Sequence, residues 1–477
     1  MSKVIEEQET FILNRYLDEN SVRSEKETIL QREVKVSSYQ EVYEMAKVYS
    51  EEKLNDNTLT DDDTTKWLEL RHEALMGDPE AELMLTEDLK LFIDRSNFAN
   101  VPFPNIYDSL ASALFHDVYS FGALKKWDLY KESPSAKITG EEIWFLVDGK
   151  FQVQAEKLRS KNHIKELIIN LEIANKGVKI NEANPRAEIP MKDGSRVTVI
   201  VPPAAYQPTI VFRKFTVNDF SFEYQARKGT ISDQDIELHE LLFRSNLNTI
   251  IAGAVQSAKS TILKTGYASR NSDEVAILVE GTPESFFKKD FPDRLVHEFY
   301  TEGENIEKVM RTALRVDHDY LITQEIRGFE AEMAMQSTQR GSRGALMTYH
   351  ITNPEATGEQ FAQHIVDEYP NRSLDSEIRK VYQQLDIGYI MKKEKNNRKV
   401  VDAVYEFCYD HETKKMWINF LMKFQAKTNK WEYNANISKG LIDRISEISE
   451  EYASRFVELM KQKELENPLK VEKIYFN

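Results

Sequence analysis

One stretch constrains the fold more than any other. At 247–264 the chain reads LNTIIAGAVQSAKSTILK, where an apolar, β-branched run enters Gly253 and Lys259-Ser260 open an apolar helix. A buried strand turning through glycine into a helix that begins Lys-Ser is the layout of a phosphate-binding P-loop, Gly-x-x-x-x-Gly-Lys-[Ser/Thr]. The physics links the pattern to its ligand. The first N–H groups of a helix lack intrahelical partners, and the helix dipole adds partial positive charge at the same end, so such a turn holds phosphate. On this layout Gly253, Ser257, Ala258 and Thr261 shape the loop. Lys259 would reach β and γ phosphates, and Ser260 would ligate Mg²⁺. The second glycine of the pattern is Ala258. If that position takes a left-handed backbone, alanine costs about 1 kcal/mol; if it only approaches phosphate, one methyl is tolerated. An ordinary strand–turn–helix with a surface lysine is the alternative reading.

Three further apolar runs end in residues that carry chemistry. VAILVE delivers Glu280, with Glu284 four residues on; DYLITQEIRG delivers Glu325, followed by Arg327 and Gly328; GSRGALMTYH delivers His350. Short β-branched runs alternating with helices predict strands buried on both faces of a parallel sheet, and residues 230–370 read as such an α/β unit. A carboxylate at the C-terminal end of a parallel strand beside a P-loop holds a metal or positions water. Taken singly, each is equally an ordinary strand-end residue, and Glu284 equally a helix cap.

The rest of the chain frames that unit. Residues 1–63 carry 16 acidic and 8 basic residues, half of the net charge of −16. They read as an acidic arm with one helix near 39–54, either a solvated appendage or a docking arm. Residues 64–120 read as a helical lead-in: a helix from Thr64 capped by Asp63 and stopped at Gly77, a second with Pro79 in its first turn, and a third over 105–120. Residues 121–229 read as an α+β domain. It has hairpins turning at Asp148-Gly149 and Asp193-Gly194, an amphipathic helix at HIKELIINLEIANK, and TIVFRKF as its closing strand. Residues 230–477 contain the α/β unit, then four strands of antiparallel texture from 385 to 436 and a charged helix near 438–464.

Composition narrows the functional classes. The lone cysteine, Cys408, excludes an intramolecular disulfide framework and a Cys-rich zinc site. No apolar run approaches the roughly 18 residues of a membrane span, and the acidic N-terminus has no apolar core of the signal-peptide kind. The acidity argues weakly against nucleic acid as a direct ligand.

The order P-loop, two strand-end glutamates and strand-end histidine resembles the type II/type IV secretion ATPase superfamily, most closely its CpaF-like branch, the motors of tight-adherence pili. The resemblance runs over roughly 120–440. FGALKKW followed by EIWFLVDGKF is similar to the entry of that family's N-terminal domain. NPRAEIPMKDGSRVTVIVPPAAYQPTIVFRKF is similar to its signature stretch, a Asp-Gly-Ser-Arg-Val hairpin and then a strand bearing a basic pair, here Arg213-Lys214. In family terms Gly253–Thr261 is Walker A, Glu280 with Glu284 the Asp box, Glu325 in Gln-Glu-Ile-Arg-Gly Walker B, and Thr348 with His350 the His box.

The resemblance implies a RecA-like P-loop NTPase core behind an α+β N-terminal domain, using ATP and Mg²⁺ and working as a homo-hexameric ring. It implies a cytoplasmic protein, peripheral at the inner face of the cell membrane, that powers pilus assembly, protein secretion or conjugative transfer and whose partner is an inner-membrane platform protein of a pilus or secretion system. Glu280 would position the attacking water, Glu325 would act at Mg²⁺ and water, and His350 would sense the γ-phosphate. Arg196, Arg213 and Lys214 would reach the nucleotide from the N-terminal domain, and Arg327 would stand beside it. The chain departs from the family pattern at Val255, Gln256 and Ala258 in the loop, at Gly281, at Gln324 and at Ser342. A nucleotide-binding assembly subunit with little turnover, and a DNA-directed motor, are the alternative functions. The four-cysteine zinc module common among pilus-extension motors has no counterpart here.

Overall fold

The computed structural model describes residues 38–476 apart from 55–60, 176, 193, 215–216, 218, 282–284, 302–305, 340 and 471–473. Most of the acidic arm, Asp193 of the second hairpin turn and Glu284 therefore lie outside the described residues.

The chain opens with helices at Tyr39–Glu52, Asp61–Leu75, Pro79–Arg95 and Leu110–Tyr119. The first is no solvated appendage: Val42, Tyr43 and Ala46 form a stripe buried against Leu85, Leu89 and Leu114. The Tyr39 hydroxyl donates to Asp117, and the Arg159 guanidinium lies 3.7 Å from the Tyr43 ring centre. The second helix starts at Asp61, so Asp63 lies within its first turn instead of capping it. Carboxylates there are favoured by the helix dipole, and Asp62 pairs with Lys66 one turn on. Pro79 sits in the first turn of the third helix, as expected, and Asp78 is its N-cap. The fourth is shorter than the sequence suggested because Ser109 caps it.

Next comes a six-stranded antiparallel sheet of β1 (Ser135–Thr139), β2 (Glu142–Val147), β3 (Lys150–Lys157), β4 (Arg186–Pro190), β5 (Arg196–Ile200) and β6 (Thr209–Arg213), in the order β3-β2-β1-β6-β5-β4. Both expected hairpins form, and Asp148 and Gly149 take positive φ (49° and 75°) at the first turn. TIVFR is the last strand of this unit in chain order, as expected, and lies between β1 and β5. One face packs on the helix His163–Ala174 through Ile138, Phe145, Val197, Val199 and Phe212 against Ile164, Leu167 and Leu171. Strand alternation sends Arg196 and Arg213 to the other face.

The larger sheet contains β7 (Thr249–Gly253), β8 (Ala276–Glu280), β9 (Val296–Tyr300), β10 (Tyr320–Ile326), β11 (Leu346–Tyr349), β12 (Ile387–Lys393), β13 (Lys399–Tyr409), β14 (Met416–Gln425), β15 (Lys430–Tyr433) and β16 (Ile474–Phe476). Its main path is β15-β14-β13-β12-β7-β11-β10-β8-β9. The segment from β12 to β9 is parallel, and Ile251 and Ile250 of β7 fall in cores on opposite faces, as expected of near-continuous apolar strands. β12 is a correction: it pairs antiparallel with β13 but parallel with β7. The helix expected near 438–464 is two helices, Lys439–Ile448 and Glu450–Glu466, divided at Ser449, which caps the second. Among the described residues, no helix is long and apolar enough to cross a membrane.

Candidate nucleotide site

β7 ends at Gly253, where no other residue fits. A Cβ there would stand 2.4 Å from the carbonyl of Met391 on β12. The chain then turns through Gln256 (φ 62°) and Ala258 (φ 72°) into the helix Lys259–Ser269. Both residues that replace expected glycines therefore occupy the left-handed region. The condition attached to Ala258 is met, and Gln256 carries the same cost, about 1–2 kcal/mol for a residue with a Cβ. No side chain caps this helix, so its first N–H groups face the loop without a local acceptor. Ser257 Oγ is buried and has no hydrogen-bond partner among the described residues. Open helix N–H groups and an orphaned hydroxyl form a cradle that fits phosphate oxygens.

Lys259 is buried at the base of this cradle. Its ammonium donates to the carbonyls of Gly253 and Ala254, each at 3.0 Å, and lies 3.4 Å from Nδ1 of His350. Burial pushes its pKa down to about 8, against the pull of Glu325. Nε2 of His350 lies 2.7 Å from Glu325 Oε1, and Arg327 pairs with the same oxygen at 2.5 Å. Burial raises the Glu325 carboxyl, but Arg327 and His350 outweigh it and hold the group below the usual carboxylate range. Ser260 Oγ lies 3.4 Å from Gln324 Oε1. Ser260, Gln324 and Glu325 thus offer an all-oxygen donor set, the chemistry that suits Mg²⁺.

Glu280 is placed differently from its neighbours. Its side chain is buried and accepts from the Ser285 hydroxyl and, at 3.2 Å, from the Ser285 amide. Its carbonyl accepts from Thr301 at 2.9 Å. Ser285 was not singled out in the sequence; a serine five residues beyond a strand end carries no periodic signal.

A cleft of about 1000 Å³ runs between the P-loop and the smaller sheet. Gln256, Ser257, Ala258, Lys259, Ser260 and Thr261 line one wall, and Arg196, Arg213 and Lys214 the other. Glu280, Glu325, Arg327 and His350 are not on its lining. Glu325 and His350 stand behind it through Lys259, and Glu280 reaches it through the Ser285–Phe286 segment. Arg196 and Arg213 are directly paired in register on β5 and β6. Arg196 also bonds Glu188 at 2.9 Å, while Lys214 lies 4.1 Å from the centre of the Trp127 ring and donates to the Trp127 carbonyl. Ten basic and two acidic residues line the cleft, in a chain whose net charge is −16. Several of them, including Lys264, Lys393 and Arg398, were not anticipated; they come from elements far apart in sequence.

The opposed tips of the two sheets also touch. Asn397, in the β12–β13 turn, donates to the Asp148 carbonyl at 2.7 Å, and it sits so close to Gly149 that a Cβ there would lie 1.8 Å from its amide nitrogen.

Residues 136–398 match the sequence model of a family described as Type II/IV secretion system protein. The Type IV secretion system protein VirB11 of Bartonella quintana is 24% identical over 270 residues, 48% of this chain and 75% of that protein. An uncharacterised protein of Methanocaldococcus jannaschii, MJ0900, is 29% identical over 184 residues, 37% of this chain and 33% of that one. Among solved structures, the ATPase DotB of Yersinia pseudotuberculosis matches with a TM-score of 0.45 at 14% identity, over 76% of this chain and 96% of that chain.

Proposed function

The chain belongs to the Type II/IV secretion system protein family, and from that premise we propose that it is the ATPase of such a system, a ring motor that couples ATP hydrolysis to movement of residues 121–229 against residues 230–477. The observation that carries this reading is one cleft with the P-loop on one wall and the Arg196–Arg213 pair on the other. We assign it to the CpaF-like, tight-adherence branch, as a homo-hexamer at the inner face of the cell membrane acting on a membrane platform protein.

The residues then divide the work. Lys259 exchanges its two carbonyl acceptors for β- and γ-phosphate oxygens. The N–H groups at 257–261 and the Ser257 hydroxyl complete the phosphate cradle. Arg196 and Arg213 add charge from the opposite wall. Glu325, kept ionised by Arg327 and His350, accepts the proton of the attacking water as the bond to the bridging oxygen breaks. His350 touches both Lys259 and Glu325, so it registers whether the γ-phosphate is present. Mg²⁺, when bound with nucleotide, offsets phosphate charge, and Ser260, Gln324 and Glu325 are the residues that would hold it. Glu280 orients water only if its contact with Ser285 exchanges.

The test is Mg²⁺-dependent phosphate release by the purified chain, with particle mass measured with and without nucleotide. Turnover that survives unchanged in Lys259→Ala and Glu325→Gln overturns the proposal. A second reading, a nucleotide-binding assembly subunit with little turnover, is favoured by the two left-handed residues Gln256 and Ala258. It predicts binding and ring formation without phosphate release. DNA-stimulated release with a steep salt dependence would instead indicate a DNA-directed motor.

A further inference from the structure

β10 carries one residue too many. Against β11 its register runs Thr323 to Met347 and then Ile326 to Tyr349, so Gln324 and Glu325 together stand opposite the single residue Thr348. This is a β-bulge, and Glu325 within it has φ 60°. In a regular strand consecutive side chains point to opposite faces. Here both point to the nucleotide end: Gln324 reaches Ser260, and Glu325 reaches His350. The bulge takes the Glu325 amide out of the ladder, and the buried Thr348 hydroxyl accepts it at 2.8 Å.

We propose that Thr348 is the positioning residue of the hydrolytic site: its hydroxyl captures the Glu325 amide, holds the bulge and so aims the Glu325 carboxylate. Thr348 is buried and off the cleft lining, so it acts through the backbone of Glu325. A left-handed glutamate is costly, and this hydrogen bond is what makes that conformation the stable one at this point in the strand. The inference rests on the proposed ATPase reading for its catalytic consequence, and on the register alone for the bulge.

The test compares full-length wild type with Thr348→Val, which keeps the shape and loses the hydroxyl, and Thr348→Ser, which keeps it. Amide hydrogen exchange in the segment 320–327 does not require turnover. It should accelerate about tenfold or more in Thr348→Val and stay near wild type in Thr348→Ser. In phosphate release, Thr348→Val should lose about 10- to 100-fold in kcat while KM stays within a few-fold, and Thr348→Ser should recover most of kcat. Unchanged exchange in Thr348→Val overturns the proposal whether or not the wild type hydrolyses ATP. So does a serine variant as impaired as the valine one, or a loss confined to KM. A wild type without turnover but with the exchange pattern expected here removes the ATPase reading and leaves the bulge capture standing.

Discussion

Nε2 of His350 lies 2.7 Å from Oε1 of Glu325, joining the C-terminal ends of two neighbouring parallel strands. Since Nδ1 of the same ring faces the Lys259 ammonium at 3.4 Å, the imidazole bridges the phosphate loop and the strand-end carboxylate. Removing the carboxylate's charge should therefore act on chemistry more than on binding. Glu325→Gln is expected to lower phosphate release by about 100-fold or more and to leave ADP affinity within a few-fold of wild type. Lys259→Ala should weaken both. Calorimetric titration beside a phosphate-release assay checks the split, and equal losses in the two variants would contradict it.

The depressed Lys259 pKa gives a pH dependence of definite sign. In the nucleotide-free protein the ammonium loses its proton as pH rises through about 8, whereas the free lysine value is 10.5. A triphosphate favours the charged form, so binding takes up a proton in that window. Affinity should fall by up to about tenfold per pH unit as pH rises above about 8 and be flat below it with respect to this group. For the empty protein the same shift acts the other way: the unfolded chain binds more protons in the window, so the buried lysine's contribution to stability improves as pH rises. Nucleotide titrations in buffers of different ionisation enthalpy measure the uptake, and Lys259→Arg should flatten the affinity profile.

Gln256 and Ala258 hold left-handed backbone at positions open to the cleft. Glycine there removes the steric cost but adds unfolded-state entropy. The net expected gain is about 0.5–1 kcal/mol at each site. Gln256→Gly and Ala258→Gly should each raise the denaturant midpoint, and the double variant should retain nucleotide binding. A lowered midpoint would show that these side chains make compensating contacts. A large rise in turnover in the double variant would mean that loop strain sets the wild-type rate.

The strand ends were readable from sequence because burial on both faces leaves a contiguous apolar signature, and the residue that follows is then placed by the sheet. Glu280, Glu325 and His350 were found that way, and so was the Gly253-to-Lys259 turn. The bulge was not readable, since an extra residue in β10 is defined only against β11. Nor was the parallel pairing of β12 with β7: alternation reports that a strand exists, not its neighbour. β9 escaped because His297 and Glu298 interrupt its apolar run. The helix at Tyr39–Glu52 was legible as amphipathic, but its charge pointed to solvent, while three residues, Val42, Tyr43 and Ala46, decide that it packs.

Arg213 and Lys214, adjacent in sequence, should behave as two different residues. Alternation puts Arg213 on the cleft face of β6, exposed, and in register with Arg196. Lys214 instead spends its ammonium on the Trp127 ring at 4.1 Å and on the Trp127 carbonyl at 3.3 Å. Trp127 itself is buried in the core of the smaller sheet. Arg213→Ala should therefore reduce turnover about tenfold or more with little change in the unfolding midpoint, because one charge opposite the phosphates is lost. Lys214→Ala should mainly destabilise, by about 0.5–1 kcal/mol, through the lost cation–π contact. Unfolding curves and steady-state kinetics on the two variants separate the roles. If Lys214→Ala alone lost turnover while Arg213→Ala did not, the basic wall of the cleft would be Lys214, and Trp127 would be its guide toward nucleotide.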